Sequence, residues 1–236
     1  MRSCLIRLLI TVGVIFALLW FGLPFGASWL ATNALNAAGF TGTNTRVDVS
    51  ANLPPRILLG HADTIHLTAS QVGAGDLHAA TIDVTLGNVE LIDRTVGTVS
   101  GTLTGVRVAA PNGDPVTIDT ATLAGSGTSA TATLTISSAE VETLAESQLR
   151  AQTGISGTVK LAGQDRVTAT INGKSESGKL VVNGGALQLV PASASLPTVI
   201  LLAAGSGNPF QLESVTATAN AVTLVGTIDL QSLLGL

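Results

Sequence analysis

A period of two, carried by aliphatic residues set against threonine, runs through most of the chain beyond residue 45 and limits its fold more than any other feature. Ile82, Val84 and Leu86 share one parity while Thr81, Asp83 and Thr85 share the other, and Ala132, Leu134 and Ile136 stand against Thr131, Thr133 and Thr135 in the same way. Successive side chains of a strand point to opposite faces, so each run predicts a strand with one apolar and one polar side. The pattern recurs at Val47 and Val49, at Val99, Gly101 and Leu103, at Val106 and Val108, and at Val116 and Ile118. Gly87-Asn88 shifts the phase before Val89 and Leu91, and residues 111–115 (Pro-Asn-Gly-Asp-Pro) mark a turn. Closely spaced strands with turns between them predict an antiparallel meander.

One segment breaks the period. Ser137 and Glu140 have capping-box spacing, Val141, Leu144, Ala145 and Leu149 form a helical stripe, Glu146 and Arg150 are four apart, and Gly154 supplies a stop. These features predict one helix of about four turns. Alternation then returns at Val159 and Leu161, Val167 to Ile171, Leu187 and Leu189, Val215 and Ala217, and Ile228. The fold class is α+β, mainly β, with sheet on both sides of the helix in the chain. Pro54-Pro55 breaks the ladder after Ala51 and opens a loop with Ile57, Leu58 and Leu59 that Gly60 closes.

The front of the chain is a different material. Of seven aromatic residues, Phe16, Trp20, Phe21, Phe25 and Trp29 precede residue 30, and residues 8–45 hold no charged side chain. Residues 8–27, as a helix, span about 30 Å, the thickness of a hydrocarbon core. Arg2 and Arg7 precede this run, which predicts residues 1–7 as a cytoplasmic stub, residues 8–27 as a transmembrane anchor and residues 28–236 as an extracytoplasmic domain. Trp20, Phe21, Phe25 and Trp29 then lie at the membrane interface. A signal peptide cleaved near Gly26-Ala27-Ser28 is the competing reading, and it too puts the body outside the cytoplasm. Residues 29–38 have the spacing of a short amphipathic helix.

Composition excludes several functions for the body. After Arg2 and Arg7 it carries 9 basic against 15 acidic residues, which argues against nucleic acid as a partner, and stacking platforms for bases or sugars are missing. Cys4 is the only cysteine, so no intrachain disulfide or Cys-based zinc site forms. His61 and His66, five apart on one strand, face opposite sides, and no metal site is expected. Residues 125–130 match the letters of a dinucleotide-binding turn, but a strand follows where a helix is required, so they read as a hairpin turn. No nucleophile elbow or phosphate-binding loop occurs, and the carboxylates are scattered singly. The expectation is a protein that is not an enzyme and carries no cofactor.

Residues 46–50, the Leu53-Pro54-Pro55-Arg56-Ile57-Leu58-Leu59-Gly60 stretch, residues 63–72, 76–91 and 99–108, Leu187 to Leu189 and residues 228–234 give an order that resembles the LmeA-like phospholipid-binding family of actinobacterial cell-envelope proteins. The loop with the double proline lacks the aromatic that this family tends to carry there. The resemblance implies a curved antiparallel sheet wrapped around one long helix, similar to tubular lipid-binding domains, with acyl chains in the cleft. It also implies a role in cell-envelope maintenance or lipoglycan assembly, with phospholipid or another acyl-chain lipid and the membrane as partners. Walls of Val, Leu, Ile and Ala suit acyl chains, which need apolar contact at about 25 cal/mol per Å² and few polar anchors. Residues 180–212 hold no charged side chain and read either as buried strands and a core helix or as an apolar flap over a ligand. The expected lipid contacts are Leu58 and Leu59 in the loop, Ile82, Val84 and Leu86 on a strand, Val141, Leu144 and Leu149 on the helix, and Ile200, Leu201 and Phe210 on the flap. The alternative is a structural or scaffolding envelope protein with a solid β core.

Overall fold

The computed structural model describes residues 28, 32–33, 41–74, 77–90, 92–93, 95–110, 112–193, 196–203 and 210–229. Curved antiparallel sheets dominate it. Strands β1 (Thr41–Ser50), β2 (His61–Ala74), β3 (Leu77–Glu90), β4 (Thr95–Ala109), β5 (Pro115–Ser126) and β6 (Ser129–Ser137) form the meander that the alternation predicts. Helix α1 (Ser138–Thr153) follows, and then β7 (Thr158–Gly163), β8 (Arg166–Ile171), β9 (Lys174–Asn183), β10 (Ala186–Pro191) and β11 (Val199–Leu202) form a second sheet. The last strands, β12 (Phe210–Ala217) and β13 (Ala221–Asp229), return to the first sheet beside β6. The result is an eight-stranded sheet, β1-β2-β3-β4-β5-β6-β13-β12, and a five-stranded sheet, β11-β10-β9-β8-β7.

Two sheets replace the expected single sheet wrapped around a helix. The reason lies in the ends of the chain order. Val222 and Leu224 on β13 pair with Ile136 and Leu134 on β6, so an apolar strand far along the chain takes the edge that β7 would otherwise occupy. The alternation that reads as two runs around residue 105 is one strand, β4, kinked where Gly105 adopts φ 57°. The uncharged stretch from residue 180 supplies the end of β9 and all of β10 and β11, with Leu180, Leu187, Leu189, Val199 and Leu201 buried. Residues 8–27, and with them the expected anchor and Trp20, Phe21, Phe25 and Trp29, lie outside the described residues. Among the described residues no helix is long and apolar enough to cross a membrane.

Helix α1 forms where the capping pattern predicts. The Ser137 hydroxyl accepts from the Glu140 N–H at 3.3 Å, and Gly154, at φ 72°, donates its N–H to the Arg150 carbonyl at 2.9 Å. Val141, Leu144, Ala145 and Leu149 face one core shared by both sheets. The glutamates do something other than local helix pairing. Glu140 accepts from the Thr117 N–H of β5 at 2.7 Å, and Glu146, instead of pairing with Arg150, accepts from the Val159 N–H at 2.9 Å. Glu142 accepts from the Leu161 N–H at 2.9 Å and from Lys160 Nζ at 2.7 Å. Burial pushes the Glu142 carboxyl up, but the Lys160 ammonium and the Leu161 N–H outweigh it and hold the group below its ordinary value.

At the opposite edge of the second sheet, Gln152 acts as a strand residue would. Its Nε2 donates to the Ile200 carbonyl at 2.6 Å and its Oε1 accepts from the Ile200 N–H at 3.0 Å. These two hydrogen bonds fix the amide, so the Gln148 oxygen must face Gln152 Nε2, at 2.8 Å, and Gln148 Nε2 is left buried without a partner. An unmatched buried donor costs about 1–3 kcal/mol. Gln148→Leu is therefore expected to stabilise the fold by about 1 kcal/mol, because Gln152 keeps both bonds to Ile200. Gln152→Ala, which frees the edge of β11, is expected to destabilise it by a similar amount. Urea midpoints at unchanged slope measure both, and a destabilised Gln148→Leu would contradict this hydrogen-bond assignment.

Candidate functional site

The inner face of the eight-stranded sheet is apolar across its full width. One row runs Val49, Ile65, Leu86, Val99, Gly125, Ala130, Ile228 from β1 to β13 through the cross-strand register. The next runs Val47, Leu67, Val84, Gly101, Leu123, Ala132, Gly226, Leu212 out to β12. The outer face carries threonine and serine at the alternate positions, which accounts for a soluble surface with few charges.

The second layer covers this face unequally. Near Val72, Ala79, Val106, Val116 and Ile136 the face is buried in one core with α1 and the five-stranded sheet. Toward the other end, Ile65, Leu67, Val84, Leu86, Val96, Leu123 and Ile228 stay partly exposed and pack in or beside two smaller clusters around Val47, Val49, Ala62 and Val89 and around Val99 and Ala130. Small residues lie between the larger ones. A Cβ added to Gly101 would lie 2.7 Å from the Asp83 carbonyl oxygen and 2.8 Å from Val84 Cγ2, so the curvature there leaves no space for a side chain. The result is a partly exposed aliphatic trough, continuous with the core, against which Leu67 and Val84 also pack.

At the other end, the trough leads to an exposed apolar tip. The double proline starts a short 3-10 helix, Pro54–Leu59, whose Ile57 packs with Val47 and Val49 while Leu58 and Leu59 are 64% and 71% exposed. Ile92, in the turn between β3 and β4, is 76% exposed and lies against Gly60. Gly60 needs its φ of 78°, and a Cβ there would approach Ile92 Cγ1 to 2.9 Å.

A polar corner anchors the tip. His61 Nε2 is 2.9 Å from Asp63 Oδ1, its Nδ1 meets Glu90 Oε1, and Asp63 Oδ2 accepts the Asn52 N–H. Carboxylates at both ring nitrogens favour the imidazolium form. The Glu90 bond, then the Asp63 bond, raises the His61 pKa above its ordinary 6.5, against burial and the nearby Arg56 charge. The Asn52 N–H, then His61, lowers Asp63 below its ordinary 3.8.

The residues expected to contact lipid fall into four places. Ile82, Val141, Leu144, Leu149 and Leu201 belong to the shared core. Val84 and Leu86 line the trough, and Leu58 and Leu59 stand on the tip. Ile200 faces outward, 39% exposed, and Phe210 begins β12. Beside Leu149 and Val199 an apolar pocket of about 20 Å³ remains, the space of about one water. A larger hollow of about 260 Å³ opens among Gln71, His78 and Arg107 at the kinked ends of β2, β3 and β4, but its walls are half polar side chains and do not match an acyl chain. Sequence reasoning missed Leu53, Ile92, Ile65, Leu123 and Ile228. Ile92 alone had a signal, an aliphatic residue where a turn is normally polar.

No family model, curated protein or solved structure matches this chain. Among the described residues no group of three His, Cys, Asp or Glu is placed to hold a metal ion.

The corner predicts a pH dependence. A raised His61 pKa contributes stability that is fully present below 6.5 and lost as pH climbs through the folded value, while the lowered Asp63 contributes stability present above 3.8 and lost as pH falls below it. The melting temperature is expected to decline between pH 6 and pH 9 more steeply in the native chain than in His61→Gln. Parallel slopes in thermal melts would contradict it.

Proposed function

We propose that the chain is a membrane-anchored, extracytoplasmic phospholipid-binding or lipid-transfer protein of the cell envelope that performs no catalysis. The observation behind this reading is the unequal cover of the inner face: toward the tip, Ile65, Leu86, Val96, Leu123 and Ile228 stay partly exposed outside the shared core. Partly exposed aliphatic side chains gain from further burial, and a flexible saturated chain fits a long, shallow, non-directional groove. The pocket beside Leu149, at about 20 Å³, is too small for an acyl chain. Lipid therefore belongs in the trough, with Val84 and Leu86 as contacts, and Val141, Leu144 and Leu149 support the layer that closes its far end.

The uncharged run at residues 8–27 behind Arg2 and Arg7 supports the anchor and the outward orientation. The resemblance to the LmeA-like family points the same way, toward phospholipid and envelope upkeep. A scaffolding role would instead leave the trough covered by a protein partner and the purified chain free of lipid.

Organic extraction of the purified chain followed by mass spectrometry is expected to release phospholipid. Leu86→Trp and Leu123→Trp put bulk into the trough without disturbing the shared core. Displacing two methylenes of a bound chain removes about 1.6 kcal/mol, so lipid retention is expected to fall by more than about tenfold. A native chain that neither retains nor rebinds lipid sinks the proposal.

A further inference from the structure

We infer that the end of the eight-stranded sheet formed by Leu53, Leu58, Leu59 and Ile92 rests on the outer surface of the bilayer that residues 8–27 enter. The inference deepens the proposed function and rests on its anchor. Four large aliphatic side chains are 52%, 64%, 71% and 76% exposed on two separate segments that meet where Ile92 lies against Gly60. Turn tips are normally polar, and the opposite end of the same sheet obeys that rule. There, Asn112 and Asp114 bond to each other in the β4–β5 turn, and Thr218 and Asn220 do so in the β12–β13 turn. At the tip end the β5–β6 turn, Gly127-Thr128, is polar as well, so the exposed aliphatic surface is confined to the β1–β2 and β3–β4 connections.

The chain path selects the bilayer as the occupant. Ser28 Oγ accepts the Val49 N–H at 3.1 Å, and Val49 shares a cluster with Ile57 of the tip helix. Ser28 directly follows the uncharged run 8–27, so a chain leaving the membrane after residue 27 is tied to the tip end of the sheet within one residue. Arg56, exposed between the prolines and the leucines, supplies a cation at the depth of lipid phosphates. The polar corner at His61 holds the tip rigid behind this contact. The trough mouth then opens at the membrane surface, where a lipid can pass between the two without crossing water.

The experiment uses the full chain with Cys4→Ser and one new cysteine, Leu58→Cys, Ile92→Cys or Asn220→Cys, labelled with an environment-sensitive fluorophore. Each is reconstituted into phosphatidylcholine–phosphatidylglycerol vesicles containing lipids with a nitroxide near the head group. Blue-shifted emission and loss of fluorescence are expected at positions 58 and 92, with neither at 220. Labels at 58 and 92 that behave like the one at 220 overturn the inference, and so does shielding that appears in lipid-free detergent and grows with protein concentration, which would mark a second copy of the chain as the occupant. If Leu58→Cys fails to fold, Ile92→Cys reads the same surface. Unquenched tip labels on a chain that still releases phospholipid on extraction would sink the docking alone; quenched labels on a chain free of lipid would sink the trough alone.

Discussion

The fold depends on one helix that finishes the edges of a sheet to which it does not belong. A five-stranded sheet has two open edges, each a row of backbone donors and acceptors that otherwise invite pairing with another chain. Helix α1 answers the β7 edge with Glu142 and Glu146 and the β11 edge with Gln152, while Glu140 ties its first turn to β5. Its apolar stripe meanwhile fills the space between both sheets. The same sixteen residues thus close the small sheet and seat it on the large one.

The cover over the inner face is uneven. Strands β2, β3 and β4 are 14, 14 and 15 residues long, about 45–50 Å at the usual rise, whereas α1 at 16 residues spans about 24 Å. The helix and the five-stranded sheet together bury the end of the inner face near Val72, Val106 and Val116. The uncovered part keeps Ile65, Val84, Leu86 and Leu123 partly exposed, and it ends in a tip whose leucines point into solvent. The tip and the attachment of Ser28 to β1 both lie at the Val49 end of the sheet.

Local chemistry made much of this architecture legible in the sequence, and long-range pairing hid the rest. Alternation located most of the strands and their sidedness, though not β2, β9 or β11, and Ser137 with Glu140 located the helix start almost to the residue. Alternation says nothing about which strand lies beside which, so the return of β13 to β6, and with it the split into two sheets, was invisible. The helix stripe at Val141, Leu144 and Leu149 was correctly apolar, but periodicity cannot separate a ligand wall from a core wall. Glu146 reads in the sequence as the partner of Arg150, and Glu142 and Gln152 carry no local signal, because their partners are backbone groups 13 to 48 residues away. Leu58 and Leu59 were selected for their hydrophobicity, and Ile92 was overlooked because its meaning comes only from sitting beside them.

The central claim is that lipid occupies the uncovered half of the inner face and leaves the covered half unchanged. Methyl NMR of the full chain in detergent micelles, titrated with a phospholipid carrying a spin label on its acyl chain, tests it residue by residue. The account predicts strong broadening of the Ile65, Val84, Leu86, Leu123 and Ile228 methyls with Leu144, Leu149, Leu187 and Leu201 unaffected. Broadening of the helix and second-sheet methyls with the trough silent would contradict it.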